Sequence, residues 1–158
     1  MQTVPWLLFA YVGLSFYDAG QMWVLQLMHY PLYRDIGGAE FAAYVAANNR
    51  HAVLPAILPS LATLVLSIVL VFRRPPMLSV ALVLAGVACN VAVLLSTLVW
   101  QGRLHGELAR VGKSDVLIDR LVATNWVRTL SFTVQAALAM VMLAQLFVAR
   151  HDQGELHG

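Results

Sequence analysis

A chain of 158 residues that is 60% hydrophobic and only 11% charged, with a mean hydropathy of +0.74, has too little polar surface to stay dispersed as a soluble globule. Ten basic and eight acidic residues leave a net charge of +2 and a pI near 9.0. The basic residues are scattered among loops and helix ends without a basic stripe, so nucleic acid is not an expected partner.

A bilayer core takes roughly 20 apolar residues of helix. Uncharged windows of that length lie at residues 51–72, 75–102 and 129–149, and a fourth apolar segment, residues 5–28, contains Asp18. The expected fold is therefore all-α, an integral membrane four-helix antiparallel bundle over residues 1–150 with a polar, disordered tail at 151–158. The first segment lacks the basic start and small-residue cleavage site of a secretory signal, so it is expected to stay as a helix. That helix spans about residues 5–29: Pro5 is tolerated in a first turn, and Pro31 disfavours helix at the residue before it.

Gly37 and Gly38 break the first connection, and the second helix is expected over about 39–72, kinked at Pro55 and Pro59. Arg73-Arg74-Pro75-Pro76 reads as a tight turn. The third helix runs over about 77–105, with Gly102 and Gly106 weakening its end. Ser114-Asp115 is a plausible cap for a fourth helix over about 115–150. Cys89 lies inside the third segment and, as the single cysteine, forms no internal disulfide. Arg34, Arg103, Arg110, Lys113 and Arg120 fall on one side and Arg73, Arg74 and Arg150 on the other. The positive-inside count weakly favours the first of these sides as cytoplasmic, but the compact Arg73-Arg74 turn argues the opposite way, so orientation stays open.

Up-down-up-down connectivity brings the end of helix one, the start of helix two, the end of helix three and the start of helix four to one pole, where the polar residues collect. At 100° per residue, Tyr44, Asn48, His51 and Pro55 form one stripe of helix two, and Asn90, Thr97, Gln101 and His105 one stripe of helix three. Helix four adds Asn125, Arg128, Thr129 and Gln135. On helix one Asp18 and His29 share a face, with Gln26 close by and Trp23 turned away. Interfacial belting explains Trp and Tyr near helix ends, including Tyr30, Tyr33, Tyr44, Trp100 and Trp126. Amides and hydroxyls also join helices at about 1 kcal/mol or less each.

Charges inside the spans resist that plain reading, since each costs roughly 2.5–3.5 kcal/mol at a helix centre. Arg50 points away from the helix-two stripe. Arg128 shares a face with Asn125 and Thr129 and is the better site candidate, with Asp18 as a possible counter-charge.

Metal or haem binding is the sharpest chemistry on offer, because His29, His51 and His105 approach one pole from three helices. The chain has no His-x-x-x-His, Glu-x-x-His or Cys-x-x-Cys pair, so no metal is expected; haem and quinone stay open. The remaining reading is a pocket near one membrane face for a lipophilic or aromatic molecule, quinone-, polyketide- or isoprenoid-like. His29, His105 and Arg128 are its candidate catalytic groups, the histidines for proton transfer and the guanidinium for a carbonyl or oxyanion. Asp18, Gln26, Tyr30, Tyr33, Tyr44, Asn48, His51, Gln101, Asn125, Trp126 and Thr129 are its candidate ligand-binding residues. The competing class is a non-catalytic subunit packed against a larger membrane complex through small residues such as Ala81, Ala85, Gly86 and Ala88. Homo-oligomerisation is compatible with either.

Several of these residues form motifs. Trp23-x-x-Gln26-x-x-His29-Tyr30-Pro31-Leu32-Tyr33, Phe41-x-x-Tyr44, His105-x-x-Leu108 and Asn125-Trp126-Val127-Arg128-Thr129 together resemble a family of small four-helix bacterial membrane proteins, largely of unknown function. The resemblance implies a bacterial inner-membrane location. In that family histidines often stand at the places of Val45 and Asn48, and an acidic residue at the place of Ser60, so these departures speak against a metal role here. The helix-four motif is more remotely similar to the anthrone-oxygenase-like membrane proteins, which implies a cofactor-independent oxidation of aromatic polyketides.

Overall fold

The computed structural model describes residues 3–155, with side chains over 6–148. These residues form helices and no strand. They are α1 (Thr3–Val24), α2 (Gly38–His51), α3 (Leu58–Arg73), α4 (Val80–Ser96), α5 (Gly102–Val111) and α6 (Asp115–Glu155). Three π segments extend them: Leu25–His29 after α1, Val53–Ile57 before α3, and Thr97–Gln101 between α4 and α5. A 3-10 turn, Pro31–Asp35, closes the first connection.

Three helical runs, Val53–Arg73, Val80–Val111 and Asp115–Val148, are long and apolar enough to cross a membrane. The first segment is not among them, and its Asp18, Gln21 and Gln26 are the residues that dilute its hydropathy. α1, α3, α4 and α6 touch in a ring, α1 on α3, α3 on α4, α4 on α6 and α6 on α1, while α2 packs on α5 beyond one end of it. Leu8, Tyr11, Leu70, Val83 and Met142 fill the ring at the end away from α2. Ala19, Met22, Val93 and Phe132 fill its middle. Tyr30, Tyr33, Phe41, Val45, Leu104, Leu108 and Leu121 form a third core under α2 and α5.

Four boundaries differ from expectation, each for a local reason. Residues 39–72 do not make one continuous helix: Ala52 is a turn between α2 and the π segment that precedes α3. Pro55 has no N–H for the carbonyl of His51, and the ladder recovers through Ala56 and Ile57, whose N–H groups both donate to the Ala52 carbonyl at 2.9 and 3.2 Å. The third helix starts at Val80 rather than 77 because Leu78 N–H closes a turn on the Pro75 carbonyl, 3.0 Å. It continues to Val111 through both Gly102 and Gly106, since Leu104 and Leu108 bury their side chains in the third core. It stops at Gly112, whose φ of +86° is open to glycine and strained for other residues. α6 runs to Glu155, through the first five residues of the expected tail; residues 156–158 lie outside the described residues. Ser114 Oγ accepts from Leu117 N–H at 3.5 Å at the start of α6, where the cap is expected.

The 3-10 turn is tied to the bundle by surface charges. Arg34 pairs with Asp119 of α6, and Lys113 Nζ donates to the carbonyls of Arg34 and Ile36. With those acidic and basic side chains 65% and 42% exposed, Asp119→Asn is expected to shift unfolding by less than about 1 kcal/mol. A thermal unfolding series in detergent checks this, and a larger loss would mean that the pair holds the turn in place.

Candidate functional site

The π segment at Leu25–His29 carries His29 to the end of the first helical run, and Pro31 then turns the chain so that Tyr30 and Tyr33 fold inward. Both phenols are buried. Tyr33 lies edge-on to His29, with ring centroids 5.2 Å apart, and burial holds its hydroxyl above the usual phenol range, so it stays protonated. Asn48 of α2 joins the two: its Nδ2 donates to Tyr33 Oη at 3.0 Å, and its Oδ1 lies 3.1 Å from His29 Nε2. With the amide in this orientation, Nε2 is the protonated nitrogen of His29. From α5, His105 Nε2 lies 3.2 Å from Tyr30 Oη, with ring centroids at 5.4 Å, while its Nδ1 is buried without a partner.

A cleft of about 460 Å³ opens between these groups, within the usual range for small-molecule sites. Its walls are His29, Tyr30, Asn48, His51, Gln101, His105 and Arg128, with Gln21, Leu25, Asn49, Ala52, Pro55, Ala56, Ile57, Thr97, Gly102 and Gly106. The two expected stripes meet there in part, Asn48, His51 and Pro55 from the α2–α3 run and Thr97, Gln101 and His105 from the α4–α5 run, whereas Tyr44 and Asn90 of the same stripes do not line it. The three histidines share this cleft. Among the described residues no three His, Cys, Asp or Glu side chains are grouped as a metal site.

Arg128 is 8% exposed and donates from Nη1 to Asn125 Oδ1 at 3.3 Å, while its Nε has no partner. Among the described residues no carboxylate lies within 4.0 Å of it. Its support is a buried amide chain: Gln26 Nε2 donates to the Val122 carbonyl at 3.1 Å, and Gln26 Oε1 accepts from Asn125 Nδ2 at 2.9 Å and from Thr129 Oγ1 at 3.4 Å. Asn125 thereby presents its oxygen to the guanidinium. Gln101 is held to α6 in the same manner, donating to Thr124 Oγ1 at 3.0 Å.

Several expected ligand-binding residues stand elsewhere. Asp18 is fully buried and does not pair with Arg128, with Oδ2 accepting from Thr63 Oγ1 at 2.6 Å. Gln26, Asn125 and Thr129 are behind the cleft wall, where they position Arg128. Tyr33 supports Asn48 from below, and Tyr44 is 42% exposed, edge-on to Tyr33. Trp126 packs edge-on against Trp23, with centroids 5.7 Å apart, on the flank of α1 and α6, and Trp23 Nε1 donates to Thr133 Oγ1 at 3.0 Å.

Gln21, Asn49, Pro55 and Thr97 also line the cleft. The signal for Pro55 lay in the sequence: its carbonyl has Pro59 at the helical donor position, which has no N–H. That carbonyl instead accepts from Tyr17 Oη at 2.9 Å and Gln21 Nε2 at 2.7 Å, which ties α1 to the kink beside the cleft. A larger hollow of about 700 Å³ at the other end, lined by Trp6, Leu7, Val69, Phe72 and Arg73, is an open apolar surface that brings no second polar group to Arg73.

No protein-family model, characterised protein or solved structure matches the chain significantly. The chemistry of the cleft is therefore read from its own geometry.

Proposed function

We propose that this chain is an integral membrane protein, a four-helix antiparallel bundle of α1, α3, α4 and α6, that binds a lipophilic or aromatic small molecule in the cleft near one membrane face. The observation that carries the reading is Arg128, a guanidinium kept inside the ring without a carboxylate and walled by histidines, amides and apolar side chains. A charge at that depth is costly unless something completes its coordination, and a bound carbonyl or oxyanion does so. Three membrane-capable helices with broad exposed apolar flanks, such as Leu54, Val65, Leu84, Leu95 and Val134, suit a lipid surround. The bacterial inner membrane is the location that the motif resemblance implies. In a catalytic form of this reading, a small cofactor-independent oxidoreductase, His29 and His105 handle protons while Arg128 faces the oxygen that gains charge.

The accessory-subunit alternative draws on the small residues of α4. Gly86 is already used inside the chain, under Tyr11, whereas Ala81 and Ala88 remain on the exposed flank. Purification in mild detergent followed by native mass spectrometry separates the two. One small molecule retained per chain, absent from the Arg128→Gln variant, is expected. A stoichiometric protein partner with no retained molecule would replace this reading by the alternative.

A further inference from the structure

We infer that the ligand is a single-chain amphiphile with an acidic head, a carboxylate or a phosphate, held by Arg128 with its chain in a slot between α3 and α4. This deepens the ligand-binding reading above and rests on it. A second, narrower cavity of about 90 Å³ shares Ala56, Ile57, Thr97 and Arg128 with the cleft and continues away from it between Leu61, Leu64, Val93 and Leu94. Arg128 thus stands where the two meet. Ile57 and Leu61 are 45% and 44% exposed, so the slot reaches the outer flank of the bundle, where acyl chains of a bilayer would lie. Its polar lining is already committed within the chain: Ser60 Oγ donates to the Ala56 carbonyl, and Asn90 Nδ2 donates to the Gly86 carbonyl and Ser67 Oγ.

The head follows from charge. Among the residues lining either cavity there is no Asp or Glu, and the buried acid of the described interior, Asp18, is turned to Thr63. A neutral carbonyl would satisfy a guanidinium N–H but place no counter-charge beside it, where Asp18 acts only from beyond pairing distance. An anion satisfies both, and the charge-assisted pair is about twice as strong. The amide and imidazole groups of Asn48, Gln101, His29 and His105 around it carry no negative charge, so none of them competes with an anion for the guanidinium. The chain follows from volume: about 90 Å³ seats only the first few carbons of one alkyl or isoprenoid chain, with the rest lying on the exposed flank at Ile57 and Leu61, and leaves no room for a second chain or a fused ring system.

The test uses the full chain, delipidated in detergent, with oleate, dodecyl phosphate, oleyl alcohol, a two-chain phosphatidic acid, a short-chain ubiquinone and inorganic phosphate as probes, read by equilibrium binding and thermal shift. Oleate or dodecyl phosphate is expected to bind at least tenfold more tightly than oleyl alcohol, with the preference lost in Arg128→Gln. Leu94→Trp, which fills the slot, should weaken both acids, and Leu64→Phe serves if that variant does not fold. The comparison of acids with the alcohol needs only the wild-type protein. Equal binding of acid and alcohol, or of phosphatidic acid and dodecyl phosphate, overturns the inference. So does inorganic phosphate binding as tightly as dodecyl phosphate, which would mean that the chain contributes nothing. Binding of ubiquinone alone overturns the acidic head while leaving the ligand-binding reading intact. Binding of no probe, with no molecule retained after mild purification, overturns both.

Discussion

Arg128→Gln is expected to lower ligand retention by about 10- to 100-fold while leaving the folded protein equally or more stable. The first number follows from losing charge-assisted hydrogen bonds, worth about 1.5–3 kcal/mol. The second follows from the position of the guanidinium, 8% exposed, with one bond to Asn125 and no carboxylate within reach. Under the membrane reading a charge at a helix centre costs about 2.5–3.5 kcal/mol, of which the polar glutamine keeps a part, and the bond to Asn125 is worth about 1 kcal/mol, so the net change is neutral or favours the variant. Opposite signs for binding and stability are what a functional, structurally unfavourable residue produces. Arg128→Lys keeps the charge but loses the planar fork, and should bind less tightly than wild type without the gain in stability. Wild-type retention in both variants with unchanged thermal stability would show that Arg128 merely reaches water and that the site is misplaced.

Phase along a helix explains which site residues were legible beforehand. Asn48, His51 and Pro55 of one stripe and Thr97, Gln101 and His105 of the other face the cleft because they lie within about three helical turns of one another, whereas Tyr44 and Asn90, at the far ends of the same stripes, miss it. The same arithmetic failed on the first helical run. It took the run as uniform α-helix, whereas the π segment Leu25–His29 holds roughly one extra residue per turn. Gln26 therefore faces α6, and Gln21, a residue given no role by periodicity, reaches the cleft wall and the Pro55 carbonyl. Composition also left aromatic side chains undecided. Tyr30 and Tyr33 turn inward because Pro31 starts a 3-10 turn there, while Trp126 finds an aromatic partner in Trp23, and neither contact is encoded by spacing within one helix. The division of the second helix at Ala52 is the nearest case. Pro55 and Pro59 announced a disturbance, but a missing N–H is felt at the carbonyl four residues earlier, so the break appears before the prolines.

Gly86→Ala is expected to destabilise the protein by about 1–3 kcal/mol, and adding Tyr11→Phe should reverse the loss and leave the double variant more stable than wild type. A Cβ at Gly86 would meet Tyr11 Oη at 2.5 Å, closer than real Cβ contacts, whereas the next atom, Tyr11 Cζ, lies at 3.6 Å and Met142 Cε at 3.8 Å. Tyr11 is 1% exposed and packed in the core with Leu8, Leu70 and Met142, so its ring has little room to retreat. Alanine on its own favours helix over glycine by about 0.8–1 kcal/mol, so a net loss requires the clash to exceed that gain. The hydroxyl responsible has no hydrogen-bond partner, and Tyr11→Phe alone should therefore change stability by no more than about 0.5 kcal/mol, or raise it slightly. With the oxygen gone, the new methyl sits at ordinary contact distance and the helix propensity of alanine is recovered. A double-mutant cycle measured by equilibrium unfolding in mixed micelles should return a coupling of about 1–3 kcal/mol between two residues 75 positions apart in sequence. Additive effects, or a neutral Gly86→Ala, would mean that α1 and α4 stand farther apart across the ring than this contact requires.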